Sequence, residues 1–429
     1  MRKGLSLKGD VNRYHDSGAF DNRSYARRSG SWVISLWVEW PLVDAAPRTS
    51  PPTSIGQAWD RWSRRPPWTS PDLLNPFLLD LDDQVRNANL DGRTVIITCY
   101  QSFPPWSFTD RRAQGELMGG SQEELGHYPD NRSSNSPWAW WIMYLCARYA
   151  AGSAINPKGP HLAVWPGENP AGYNIVFGNP VGAYAHFIQP MNEPNFHWWP
   201  QRSLSAPGSA NDIGCIVAQM AQSADTAAAW VNGSRPFSPF LLIPGTADNP
   251  AGGAAGTPPA EFTRAVVHAL GNWNPEMNYT GWAHHHYNDV KKGRLSDGSY
   301  RLDRVVDELA GGGWGDDGQG GIWLTEGGYH FPIVGGPGNW SVPNPEGESL
   351  VQQVRMKIHY RDMRLMGGRY PIELWAQYLI HDGEQEFQSS LRGEIEPRPG
   401  MTPPYRPNPN PYRVWADWLD GSPGSPFES

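Results

Sequence analysis

Along this chain, short stretches in which apolar residues alternate with polar ones or run together are interleaved with longer stretches whose apolar residues recur every three to four positions. The first pattern predicts strands and the second amphipathic helices. Strands are expected at 2–9, 32–40, 94–100, 183–190, 240–244, 279–286, 321–325 and 372–379. One helix follows each: a short one ending over 25–30, then 72–90, 137–151, 213–231, 259–270, 302–309, 349–365 and 411–419. Asp91 and Gly92 mark the end of the second helix, since glycine readily takes the left-handed conformation past a last helical turn.

Eight strand-helix units in order imply a parallel sheet, and eight units fit closure into a single (β/α)8 TIM barrel better than an open doubly wound sheet. No GxGxxG follows a strand, which counts against dinucleotide binding. Long Gly/Pro/Asn-rich segments follow strands two (41–71), three (101–136), four (195–210), seven (327–346) and eight (381–408), and a further one, 153–182, leads into strand four. The five that follow strands fall on the C-terminal face of a barrel, where active sites are built. One elaborated domain spanning 1–429 is the expected organisation.

That face carries a pair of carboxylates. Strand four runs into Met191-Asn192-Glu193-Pro194, and strand seven ends Thr325-Glu326-Gly327-Gly328. A retaining glycosidase needs two such groups about 5–5.5 Å apart, one to protonate the leaving oxygen and one to attack the anomeric carbon. Either motif alone also reads as a turn, because Asn, Gly and Pro all favour turns. Their occurrence at the ends of two strands of one barrel favours the chemical reading.

Gln189-Pro190-Met191-Asn192-Glu193-Pro194-Asn195 and Trp323-Leu324-Thr325-Glu326-Gly327 resemble the two active-site motifs of the retaining glycoside hydrolases of clan A. The resemblance implies a (β/α)8 barrel, Glu193 as acid/base, Glu326 as nucleophile and Asn192 on the sugar 2-hydroxyl. It further implies a β-glycoside, or an α-L-arabinofuranoside of related stereochemistry, as substrate. Gly281-Trp282-Ala283-His284-His285-His286-Tyr287 on strand six is similar to the clan's His-x-Tyr, which maps onto His285 and Tyr287 and implies that Tyr287 donates to Glu326. Trp375 on strand eight matches a position where clan members place a tryptophan under the reacting sugar, and Gln377 shares its face by the period of two.

Other aromatic residues are candidates for the cleft: His197, Trp198 and Trp199 behind Glu193, Trp40 beside Glu39 after strand two, and Trp106 beyond Gln101 after strand three. The aromatic helix with Trp138, Trp140, Trp141 and Tyr144 reads as core. Loops raised around one face favour a deep pocket with exo action, or short oligosaccharide substrates, over an open groove. Two readings from other classes remain beside the glycosidase: a barrel that binds glycans without cleaving them, and a metal-dependent hydrolase using His284, His285 and His286 with Asp289.

Composition narrows the partners. The formal charge of −8, without a basic run, disfavours nucleic acid and anionic membranes, and 12% aromatic residues exclude disorder. The 22 Trp supply flat faces suited to sugars or to a core. Cys99, Cys146 and Cys215 are odd in number and widely spaced, so buried free thiols are expected rather than disulfides. No cofactor or metal is called for. No stretch resembles a leader or a membrane span, so a cytoplasmic location is expected, or secretion if a leader once preceded the chain.

Overall fold

The computed structural model describes residues 1–8, 12–17, 20–44, 52–63, 74–100, 104, 137–150, 161–164, 173–176, 183–196, 210–234, 239–248, 256–273, 279–314, 320–330, 345–367 and 370–380. Eight parallel strands form the centre: β1 (Arg2–Leu7), β2 (Val33–Val38), β3 (Thr94–Cys99), β4 (Phe187–Gln189), β5 (Phe240–Leu242), β6 (Tyr279–His285), β7 (Gly321–Glu326) and β8 (Ile372–Tyr378). Each pairs with the next in the chain, and β8 pairs with β1, so the sheet is a closed (β/α)8 barrel. The two-residue strand Thr246–Ala247 prolongs β5 along the upper half of β6.

Seven helices follow strands on the outside: α1 (Asn22–Arg28), α2 (Pro76–Leu90), α3 (Pro137–Arg148), α4 (Ala210–Ser234), α5 (Pro259–Trp273), α6 (Arg301–Gly311) and α7 (Pro345–Met366). The expected helix over 411–419 lies outside the described residues. Within the stretches expected to be loops, the chain makes a helical turn at Trp40–Val43, a helix at Ile55–Ser63 and an antiparallel hairpin of His161–Val164 with Tyr173–Val176. Strand four is shorter than its apolar pattern suggested, because Ala183 and Ala185 are buried outside the ladder.

The period of two sorts each strand into an inner and an outer face. Inside the barrel, Val33, Ile96, Leu242, Ala283, Trp323, Leu374 and Ala376 form one small cluster with Phe187 packed against it. Ser35 and Thr98 add an inner hydrogen bond of 2.8 Å. The residues between them, such as Leu5, Ile34, Leu36 and Ile97, face the helices and join the larger core. α3 is buried on every side, which follows from its nearly unbroken apolar sequence. Its one charge, Arg148, is matched by Asp82 of α2 at 2.6 Å. Cys99 and Cys146 are buried and in no disulfide, but Cys215 is exposed, against expectation.

Candidate active site

The acid at strand four is presented by a turn under backbone strain. Glu193 has φ +50°, the one positive value at a non-glycine among the described residues. Such a conformation at a residue with a β-carbon persists only where its surroundings impose it. Here the Glu193 N–H donates to the Gly245 carbonyl at 2.6 Å, and the Phe196 N–H closes a turn onto the Glu193 carbonyl at 3.1 Å. Pro194 and Asn195 are its middle residues. The Asn195 amide then pins that turn to the end of β5, accepting from the Ala247 N–H and donating to the Ala247 and Thr257 carbonyls. Gly245 leaves no room for a side chain, since a β-carbon there would meet the Met191 carbonyl oxygen at 2.9 Å as well as the Gln189 amide nitrogen at 2.2 Å. The turn reading and the chemical reading of Asn-Glu-Pro therefore describe the same residues.

The acid at strand seven is re-aimed by a bulge. Ala283 pairs with Trp323 and His284 with Leu324, but His285 pairs with Glu326, so Thr325 is an extra residue on β7. By strict alternation from the inward Trp323, Glu326 would face the helices. The bulge places it beside inward-facing His285 instead.

Together these devices bring three groups to one point. The His285 Nδ1 lies 3.0 Å from Glu193 Oε1 and 3.8 Å from Glu326 Oε2, and one ligand atom from each of the three residues lies within 4.8 Å of the others. Tyr287, the first residue of a short helix (Tyr287–Lys292) rather than a strand residue, donates its hydroxyl to Glu326 Oε1 at 2.5 Å. Asn192 is buried on the same turn and bridges to Gly245.

Electrostatics follow from this crowding. Burial raises the Glu326 carboxyl to about 7; His285 opposes the rise, Glu193 reinforces it, and the Tyr287 hydrogen bond opposes it. Burial also works against a charge on His285, but Glu326 and Glu193 outweigh it and the net shift is upward. Tyr287 is held protonated by burial and by Glu326. At neutral pH the Glu326 carboxyl is therefore poised between its protonated and ionised forms.

Several expected site residues stand elsewhere. Trp375 alternates with Leu374 and Ala376 of the inner cluster, so it faces outward, fully buried, and donates to His359 Nδ1 at 2.9 Å. Gln377 shares that outward parity; it is buried, donates to the Tyr378 carbonyl and packs against Gly328. Trp40 is stacked on Trp141 at 5.5 Å and set edge-on to Trp62, which makes it core. These three are corrections to the sequence-based assignment. His197, Trp198, Trp199, Trp106 and Gln101 lie outside the described residues.

The three histidines do not converge either. His284 and His286 point away from His285 into the layer between barrel and α7, where His286 stacks on His359 at 5.1 Å. Burial holds His284 and His359 down to about 3 and His286 well below its usual value. Asp289 is engaged by the Arg301 side chain and by the N–H groups of Arg301 and Leu302. The proposed cluster of three histidines with Asp289 is therefore not formed.

An aromatic floor beside Glu326 was not foreseen. The Trp37 ring lies 4.9 Å from Tyr100 and 5.9 Å from Tyr378, whose ring is 6.1 Å from Tyr287. The Lys8 ammonium sits 3.9 Å from the Tyr100 ring centre and 5.2 Å from Trp37. Trp37 is anchored by donating Nε1 to the Ser6 hydroxyl at 3.0 Å. Carrying the inner parity to the strand ends would have found them: Gly4, Ser6, Lys8; Val33, Ser35, Trp37; Ala376, Tyr378.

No family model and no curated protein matches the sequence. Among solved structures, the chain is similar to Fpglu1 from Fervidobacterium pennivoraus, at 11% identity and TM-score 0.51, over 96% of this chain and 94% of that one. It is likewise similar to GH10 from Paenibacillus barcinonensis, at 12% identity and TM-score 0.51, over 97% and 94%. At such identities the likeness is one of fold, and the fold of this chain is the (β/α)8 barrel that the resemblance to the clan A glycoside hydrolases implied.

Proposed function

We propose that the protein is a retaining O-glycoside hydrolase, with Glu193 as acid/base and Glu326 as nucleophile, acting on a β-glycoside or an α-L-arabinofuranoside. The observation that carries this reading is the convergence of Glu193, His285 and Glu326 within 4.8 Å, close to the separation that double displacement requires and well short of the roughly 6.5–9.5 Å of inverting enzymes.

In the productive state Glu193 carries the proton it will donate, and Glu326 is ionised. Tyr287 supports this charge by its hydrogen bond and His285 by its proximity. Glu326 attacks the anomeric carbon while Glu193 gives its proton to the departing oxygen. The C–O bond to the leaving group breaks as the bond to Glu326 Oε forms. Glu193, now ionised, then takes a proton from water, whose oxygen displaces Glu326. Trp37, Tyr378 and Tyr100 offer faces for the sugar.

Kinetics on nitrophenyl glycosides test the assignment. Glu193→Ala is expected to lower kcat by about 10²–10⁴-fold, the usual worth of a positioned acid/base, and Glu326→Ala by at least as much. Azide should restore turnover in one or both by replacing the missing carboxylate. Near-normal turnover in either variant contradicts the proposal. A glycan-binding barrel without catalysis would bind polysaccharide and release no product.

A further inference from the structure

The catalytic carboxylates and His285 also have the geometry of a cation site. Among the described residues they are the one group of three His, Cys, Asp or Glu whose ligand atoms lie this close together. A zinc ion bound at about 2.0–2.2 Å by nitrogen and oxygen would hold tetrahedral ligands roughly 3.3–3.6 Å apart. The observed separations of 3.0 and 3.8 Å from His285 Nδ1 bracket that range, and with all three ligand atoms within 4.8 Å of one another the two carboxylates need only draw in towards the ion to complete the site. Glu326 Oε2 is buried and accepts no hydrogen bond. It stands at the point where a third ligand would be required.

We propose that Glu193 Oε1, His285 Nδ1 and Glu326 Oε2 form a site for a divalent transition metal of the Zn²⁺ type, and that the metal-bound protein is catalytically silent. The donor set decides the class of ion. One imidazole with two carboxylates suits Zn²⁺, whereas Mg²⁺ demands near-octahedral oxygen coordination and Ca²⁺ six to eight oxygens. An ion at this site occupies the lone pair Glu326 needs for attack and the oxygen on which Glu193 carries its proton. Metal and glycoside therefore compete. A spacing search in the sequence misses the site because its ligands come from three strands, β6, β7 and the end of β4, whereas the conspicuous His-x-His pair faces away. The binding half of the proposal stands on geometry alone; the silencing half rests on the glycosidase reading.

The test is a calorimetric titration of the chelator-treated, dialysed full chain with ZnCl₂ at neutral pH, with MgCl₂ as counter-probe. His285→Gln and Glu193→Gln are titrated alongside after their folding has been verified by circular dichroism. One Zn²⁺ per chain is expected, little heat with Mg²⁺, and affinity reduced by about tenfold or more in each variant, since even supporting groups around metal sites are worth that much. Absence of saturable Zn²⁺ heat, or equal affinity in wild type and both variants, overturns the site. In the same samples Zn²⁺ should abolish glycoside turnover with the half-saturation seen by calorimetry, and chelation should restore it. Turnover that rises with Zn²⁺ overturns the silent state and the glycosidase reading together. One Zn²⁺ lost in both variants from a protein without glycoside turnover upholds the site and contradicts only the proposed function.

Discussion

His359 offers a stability prediction whose size can be worked out. Its ring is buried between β8 and α7, stacked on His286, with Nδ1 accepting from Trp375 and the Tyr300 ring 5.1 Å away. Burial keeps it neutral down to about pH 3 in the folded protein, whereas in the unfolded chain it takes up a proton near 6.5. The neutral site therefore favours folding fully above 6.5, and this contribution is lost as pH falls from 6.5 towards 3, where only the unfolded chain binds the proton. At about 1.36 kcal/mol per pH unit, the loss from this one group is about 0.7 kcal/mol between pH 7 and 6 and about 2 kcal/mol between pH 7 and 5. His359→Asn removes the titration while leaving an amide oxygen where Nδ1 accepts from Trp375. The assay is urea unfolding of both proteins at pH 7, 6 and 5 at constant ionic strength. Whatever the variant costs at pH 7, its deficit relative to wild type should shrink by about 2 kcal/mol at pH 5. Groups such as Glu326, whose raised value acts in the opposite direction, are common to both proteins and cancel. A deficit constant to within a few tenths of a kcal/mol over this range would refute the reasoning.

Tyr287→Phe deletes a donor that draws the Glu326 carboxyl down; the limb of kcat/KM gained as pH rises through about 7, where the nucleophile ionises, should move to higher pH, and an unmoved limb would contradict it. Trp40→Ala should cost about 3–5 kcal/mol of stability as a large-to-small core change, with KM for glycosides unchanged in the folded fraction; a KM effect at normal stability would return Trp40 to the cleft. Trp37→Ala should instead raise KM, with the roughly 1–3 kcal/mol of a nucleobase stacked on an aromatic ring as an upper guide to size; unchanged KM would remove the aromatic floor from the substrate. Product analysis on a polymer should give a single mono- or disaccharide from the first time points; a ladder of oligomers would mean an open groove.

The succession of strands and helices was legible because alternation and helical periodicity are written into the apolar residues, and closure follows from counting to eight. The positions of Glu193, Glu326 and His285 at strand ends were legible too. What failed was facing. The family position places Trp375 and Gln377 in the cleft, whereas Leu374 and Ala376 take the inner face beside Trp323 and Phe187; residue size does not decide parity in an interior that itself holds a tryptophan. Trp40 was assigned by its place after β2, although the helical turn that begins there swings it into the cluster of Trp62 and Trp141. The bulge at Thr325 could not be read, since nothing in Leu-Thr-Glu distinguishes a strand that alternates from one that slips by a residue. Without it, Glu326 would face the helices.

The central claim, that Glu326 attacks the sugar, is tested most directly by trapping the intermediate. Wild-type protein would be inactivated with a 2-deoxy-2-fluoro glycoside of a sugar it turns over, digested, and the labelled peptide sequenced by mass spectrometry. The account expects one glycosyl group per chain, bound through an ester to Glu326, and no labelling in Glu326→Ala. A label on Glu193, or turnover that passes through no covalent intermediate and releases the inverted anomer, would contradict it.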